Sequence, residues 1–184
     1  MNLAGLISSI YSMVGNCMKF GQTILNKTGL LLLGMVILLA AGSMAVAGSD
    51  MPSFSLSSAV DGKTVNSDDF KGKTLLVTFF ATWCPPCRQE IPNLIKLQQE
   101  YADKGFSVIG LSLDEKGPSI VARLVDKEKI NYPVLMADSR TAREFGGIAG
   151  IPTSFLVNKK GQVVKRYPGY VPHTLLEKDI KSVL

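Results

Sequence analysis

The stretch that most limits what this chain can fold into runs from Thr74 to Arg88. Thr74-Leu75-Leu76-Val77-Thr78-Phe79-Phe80 is a nearly continuous apolar run. Lack of alternation marks a strand buried on both faces, as in the middle of an α/β sheet. Trp83-Cys84-Pro85-Pro86-Cys87 follows, and a helix-like pattern begins near Arg88. A strand, a tight turn and a helix N-terminus thus meet at a pair of thiols.

The remaining pattern fits around that junction. Phe54-Ser55-Leu56-Ser57, the Asp61-Gly62 turn and Lys63-Thr64-Val65 predict a short hairpin. Ser67–Phe70 reads as a turn or helical turn. Ile91, Leu94, Ile95 and Tyr101 have helical spacing, with Leu97 off the stripe by one and Pro92 expected to kink the helix. Phe106–Leu111 is a second central strand, and Pro118 opens a helix with Ile120, Val121, Leu124 and Val125 on one face. Tyr132-Pro133-Val134-Leu135 is short and extended, and Thr141–Phe145 is a brief helix. Ser154–Val157 and Val163–Tyr167 form an antiparallel hairpin about Lys159-Lys160-Gly161. Pro172 opens a last helix, with Leu175, Leu176, Ile180 and Val183 inward. The fold class is α/β, a mixed central sheet flanked by helices.

The first 47 residues are different in kind. They hold Lys19 and Lys27, two of the chain's 20 basic residues, and none of its 15 acids. Thr28 to Ser49 carries no charge, and Leu30–Ala41 is apolar apart from Gly34. Basic flank, apolar run and small residues make an export signal, with Ala45-Val46-Ala47 before a cleavage point and Gly48 after it. Retention as a membrane anchor is the alternative, since a span needs about 20 apolar residues. Residues 1–48 are therefore a signal peptide or anchor, and 49–184 the folded domain. Either way the domain is exported, to the periplasm or the extracytoplasmic face of the membrane. The net charge of +5 is too mild for a nucleic-acid groove, and no basic cluster alternates with aromatics.

Of three cysteines, Cys17 lies in the leader, leaving Cys84 and Cys87 as one pair rather than a disulfide framework. At a helix N-terminus a thiol pKa falls from about 8.5 to roughly 7 or below, because the dipole and free N–H groups favour negative charge. Cys84 is assigned as the attacking sulfur, and Cys87, one turn further in and expected to be more buried, as the resolving one. Arg88 adds a nearby charge or points to solvent. Pro85 and Pro86 remove two N–H donors, which limits thiolate stabilisation and predicts a reducing pair. A zinc site needs about four ligands, and the exported part offers two cysteines and His173, here read as a surface residue. Haem attachment needs a histidine where Arg88 stands. From position alone, Glu90 is either a proton partner for the pair or a solvated first-turn acid. Pro152 is either a cis proline or one that simply leads into a strand.

Phe79–Cys87, Glu90-Ile91-Pro92, Gly150-Ile151-Pro152-Thr153, Lys160-Gly161 and Gly169 together resemble the TlpA/ResA family of exported thioredoxin-like thiol-disulfide oxidoreductases. The resemblance covers roughly residues 51–184. It implies a thioredoxin fold with an N-terminal hairpin and a central insertion, Gly117 to Phe145. It implies that Cys84, Cys87 and Glu90 are catalytic, with Glu90 tuning the pair. Trp83, Pro85, Pro86, Ile151, Pro152 and Thr153 would meet the substrate. Pro152 would be cis and face the cysteines, and the Ile151 backbone would pair with an extended client strand. No metal or cofactor is implied beyond the redox-active Cys84–Cys87 disulfide.

The implied clients are proteins with disulfides or thiols, such as apocytochromes c or copper-site proteins. The implied electron donor is a membrane thiol transporter of the DsbD/CcdA kind. Thioredoxins carry a buried aspartate where this chain has Thr78, so that role does not transfer and Glu90 is the substitute. Competing readings are an oxidase or isomerase of the same fold and, with the wrong cysteine spacing, a copper-binding chaperone. Met18-Lys19-Phe20 begins a more compact signal than Met1 does. N-terminal sequencing of the unprocessed precursor is expected to read from Met18, and a precursor beginning at Met1 contradicts this.

Overall fold

Asp61-Gly62 turns a two-stranded hairpin, β1 Ser55–Ser57 against β2 Thr64–Asn66. Gly62 takes a positive φ of 70° there, a region open to glycine at little cost. A computed structural model describes residues 48–184, and the expected leader lies outside them. No helix of the described residues is long and apolar enough to cross a membrane. A 3-10 turn, Ser67–Phe70, leads to β3 Thr74–Phe80. Then follow α1 Pro85–Tyr101, β4 Phe106–Ser112, α2 Pro118–Glu128, β5 Val134–Met136 and α3 Ser139–Glu144. The chain closes with β6 Thr153–Val157, β7 Val163–Pro168 and α4 His173–Lys181.

The five-stranded sheet has the order β5-β4-β3-β6-β7. β3, β4 and β5 are mutually parallel, and β6 runs antiparallel to both β3 and β7. All seven residues of β3 and of β4 are buried, as expected of parallel strands covered on both faces. Alternate side chains feed two apolar layers. Leu76, Phe80, Val108 and Leu156 pack with Leu94 and Leu97 of α1 and Leu176 and Ile180 of α4. Leu75, Val77, Phe79, Ile109 and Phe155 pack with Phe54, Phe70 and Phe145. This is a thioredoxin-like fold with the expected N-terminal hairpin. The central segment supplies α2, β5 and α3, and β5 extends the sheet beside β4. Ser58 bridges Leu135 at that edge, and Asp50 bridges Gln162 at the start of β7.

Three sequence readings change. α1 begins at Pro85 rather than near Arg88, because prolines suit the first turn, where N–H groups lack intrahelical partners. Pro92 lies inside the helix, where the pattern put it. Leu97 is fully buried, whereas Ile95 is only partly so; the buried face runs through Cys87, Glu90, Leu94, Leu97 and Tyr101, the three- and four-residue spacing of one helical face. On α4, Leu176 and Ile180 are buried but Leu175 is exposed, since adjacent helical residues diverge by about 100°. Val183 packs against the core from just beyond the helix.

Leu97→Ala should therefore cost about 2–5 kcal/mol of stability. Leu175→Ala should stay within about 0.5 kcal/mol of the parent. Urea denaturation of the oxidised protein measures both.

Candidate active site

β3 ends at Phe80, whose carbonyl accepts from Leu113 N at 2.9 Å, tying the strand to the end of β4. The chain then turns through Ala81-Thr82-Trp83, and Cys84 N donates to Ala81 O at 3.2 Å. Cys84 is the N-cap of α1, with φ −88° and ψ 110°. That extended conformation is what a following proline favours. Pro85 and Pro86 occupy the first helical positions and have no N–H to offer. Cys87 N donates to Cys84 Sγ at 3.3 Å. The two sulfurs form a disulfide, with the Cα atoms 5.3 Å apart.

The expected difference in burial between the cysteines is absent in this oxidised form. Cys84 is 3% exposed and Cys87 2%. Cys84 is covered by the loop before β6: its Sγ lies 3.7 Å from Ile151 O. The Ile151-Pro152 bond is cis, and Pro152 is buried. Gly169 N donates to Pro152 O at 2.8 Å, and Thr153 Oγ1 to Gly150 O at 2.7 Å. Thr153 is thus buried with its hydroxyl closing the turn, while Ile151 is half-buried. Trp83 projects, 69% exposed, beside exposed Pro85 and Pro86. Arg88 is exposed too, and shares a shallow surface cleft with Trp83, Pro85, Gln89 and Glu128.

Glu90 is no solvated first-turn acid. It is 1% exposed, on the same face of α1 as Cys87. Burial pushes its carboxyl up to about 7, against a smaller opposing effect of the Val171 N–H that donates to Oε1 at 3.2 Å. Buried Tyr132 is its neighbour in charge: burial first, and then Glu90, hold the phenol above its usual range. Gly110 packs beneath Phe80 and Tyr132: a Cβ there would lie 3.2 Å from Phe80 Cε1 and 3.4 Å from Tyr132 Cε2.

At the position where thioredoxins bury an aspartate, Thr78 accepts from Ser154 Oγ at 2.9 Å, a neutral pair inside the sheet. His173, read as a surface residue, is half-buried. Its Nε2 is enclosed without a hydrogen-bond partner among the described residues.

Sequence reasoning passed over Asp114, which is 6% exposed. It accepts from Thr82 N at 2.9 Å, Thr82 Oγ1 at 2.6 Å and Ser112 Oγ at 2.8 Å. The available signal was an acid just past a wholly buried parallel strand, at the carboxyl end where α/β sheets place their sites. Tyr132 was read only as part of a short extended stretch.

A disulfide-bonded cysteine pair at a helix N-terminus, just past the central strand of this sheet and under a proline loop, defines a thioredoxin-fold thiol-disulfide oxidoreductase. The chain belongs to the Redoxin family, whose model matches residues 46–184. It is similar to the thiol-disulfide oxidoreductase ResA of Bacillus thuringiensis subsp. konkukian, 32% identical over 136 residues, 74% of this chain and 78% of that protein. Similarity to ResA of Bacillus subtilis is 29% over 167 residues, 86% and 92% of the two chains. Among solved structures, a thioredoxin-family thiol:disulfide interchange protein from Chlorobium tepidum superposes with a TM-score of 0.69 and 38% identity. That match covers 74% of this chain and 96% of the other.

Glu90 ties stability to pH. Its carboxyl titrates near 7 in the folded protein, against 4.5 for an unperturbed glutamate. A raised folded pKa contributes stability fully below about pH 4.5, declining as pH rises and gone above about pH 7. The loss is about 3 kcal/mol, at about 1.4 kcal/mol per pKa unit. Glu90→Gln should accordingly raise Tm relative to the parent at pH 8 and much less at pH 4.5. Thermal denaturation of the oxidised proteins at the two pH values reads the difference.

Proposed function

We propose that the chain is an exported protein-disulfide reductase acting outside the cytoplasm. The observation that carries the reductive direction is the cap of α1. With prolines in the first two helical positions, Cys87 supplies the backbone N–H at Cys84 Sγ. A thiolate held by few donors is a better nucleophile and a poorer leaving group than one held by many.

In the reduced form the Cys84 thiolate attacks one sulfur of a client disulfide. A mixed disulfide forms and the other client sulfur leaves as a thiolate. Glu90, with its carboxyl near neutrality, takes the proton of Cys87, as a general base with a matched pKa does. The Cys87 thiolate then attacks Cys84 Sγ, the mixed disulfide breaks, and the client leaves with both sulfurs reduced. The client has taken up two electrons, and the Cys84–Cys87 pair is left oxidised as a disulfide. A donor dithiol, proposed as a membrane thiol transporter of the DsbD/CcdA kind, restores the pair. The pair is itself the redox group, and no metal or other cofactor is needed.

In this reading the client approaches over exposed Trp83, Pro85 and Pro86 and pairs with the backbone at Ile151. Pro152 shapes that edge, and Thr153 holds the turn behind it. Apocytochromes c and copper-site proteins are the proposed clients, both needing reduced cysteines in an oxidising compartment. The basic flank and uncharged apolar run of the leader support export, as a cleaved signal or an anchor.

Cys87→Ser should leave clients trapped as mixed disulfides on Cys84 in exported extracts, where a control thioredoxin variant also traps. Their identity names the client, and absence of adducts beside a working control counts against the reading. The reduction potential should lie near about −270 mV, as in thioredoxin. A value near about −120 mV would instead mark a thiol oxidase.

A further inference from the structure

We propose that Asp114 is a positioning residue for the thiol-disulfide reaction, clamping the amide and hydroxyl of Thr82 and with them the turn that presents Cys84. The inference rests on the reading of Cys84 as the attacking sulfur.

The placement of Cys84 Sγ is fixed from two directions. Downstream, Pro85 confines the Cys84 backbone to the extended region it adopts. Upstream lies a turn that Cys84 N closes onto Ala81 O. Its two central residues are Thr82 and Trp83. Trp83 stands out in solvent and gives the turn little anchorage. Thr82 is held at both its amide and its hydroxyl, and Asp114 accepts both.

Asp114 is itself locked. Ser112 Oγ donates to its Oδ2, and its own N–H donates back to Ser112 Oγ at 3.1 Å. Ser112 is the last residue of β4 and fully buried. The turn is therefore referenced to the rigid sheet rather than to a neighbouring loop. Burying a carboxyl is costly unless its oxygens are hydrogen-bonded, and three donors converge on these two. The clamp does not involve the sulfurs, so it can hold the turn after the disulfide opens. Cys84 Sγ then stays where the Cys87 N–H reaches it.

The sign of one measurement separates positioning from a charge effect. Removing a negative charge near Cys84 favours its thiolate and lowers the alkylation midpoint. Losing the turn weakens the Cys87 N–H cap and raises it. The experiment is the pH dependence of iodoacetamide alkylation of Cys84 in the reduced full chain, with the modified cysteine located by mass spectrometry. Exchange with oxidised glutathione is measured alongside.

For Asp114→Ala the midpoint should rise by about one pH unit, with roughly tenfold less reactive thiolate below it. Asp114→Asn should restore exchange to within about twofold, with a midpoint at or below the parent's. Its Oδ1 can accept from Thr82 N and its Nδ2 can donate to Thr82 Oγ1. An unchanged or lowered midpoint in Asp114→Ala, or an Asn variant as impaired as the Ala variant, overturns the proposal. Should Asp114→Ala fail to fold, Thr82→Val decides: it keeps the amide bond and loses the hydroxyl, so a rise in the same direction is expected and an unchanged midpoint overturns the inference. Alkylation uses no client, so its outcome is independent of whether Cys87→Ser traps one.

Discussion

The hydrogen bond from Cys87 N to Cys84 Sγ is the contact on which the rest of the site depends. It is a helix cap, and a sulfur takes the role usually given to a serine or aspartate oxygen. The reactive atom and the start of α1 are therefore set by the same geometry. Two prolines then make that cap sparse, because neither can contribute an N–H. The strand before it, the turn after the strand and the proline loop opposite all serve to bring one sulfur to one amide.

Around this contact the molecule separates charge from thiol by burial rather than by distance along the chain. Glu90 and Cys87 share a face of α1 among apolar side chains, where an ionised carboxyl is disfavoured. Val171 offers its single N–H to the acid, and the Tyr132 phenol keeps its proton beside it. On the strand side, Thr78 and Ser154 satisfy each other and add no charge to the sheet. The buried acid that shares a face with Cys87 thus comes from the helix, not from the strand.

Much of this was legible in the residues, and the failures have physical causes. A continuous apolar run such as Thr74–Phe80 has one comfortable environment, so β3 and its central place follow from composition. The Asp61-Gly62 and Lys160-Gly161 turns are equally local signals. Leu97 and Leu175 were misread because helical phase is set by the partner surface, and a one-residue error turns a side chain through about 100°. The burial of Glu90 was hidden for a related reason, since its cover, Val171, comes from the far end of the chain. Asp114 carried no motif; its meaning lies in three donors that tertiary structure assembles. The equal burial of the cysteines depends on Ile151, which only the folded loop brings over Cys84.

The flanks of the sheet carry a further consequence. β5 is only three residues long, and its edge is bridged by Ser58 of the hairpin. The start of β7 is bridged by Asp50, and Val163 N is taken by Ser49 O; Lys165 and Arg166 lie further along that strand. Short, covered and charged edges discourage stray strand addition. At β5 and at the start of β7, neither margin of the sheet is a bare template for an extended segment. In the proposed reaction, backbone pairing would fall to the loop at Ile151, whose carbonyl oxygen lies 3.7 Å from Cys84 Sγ.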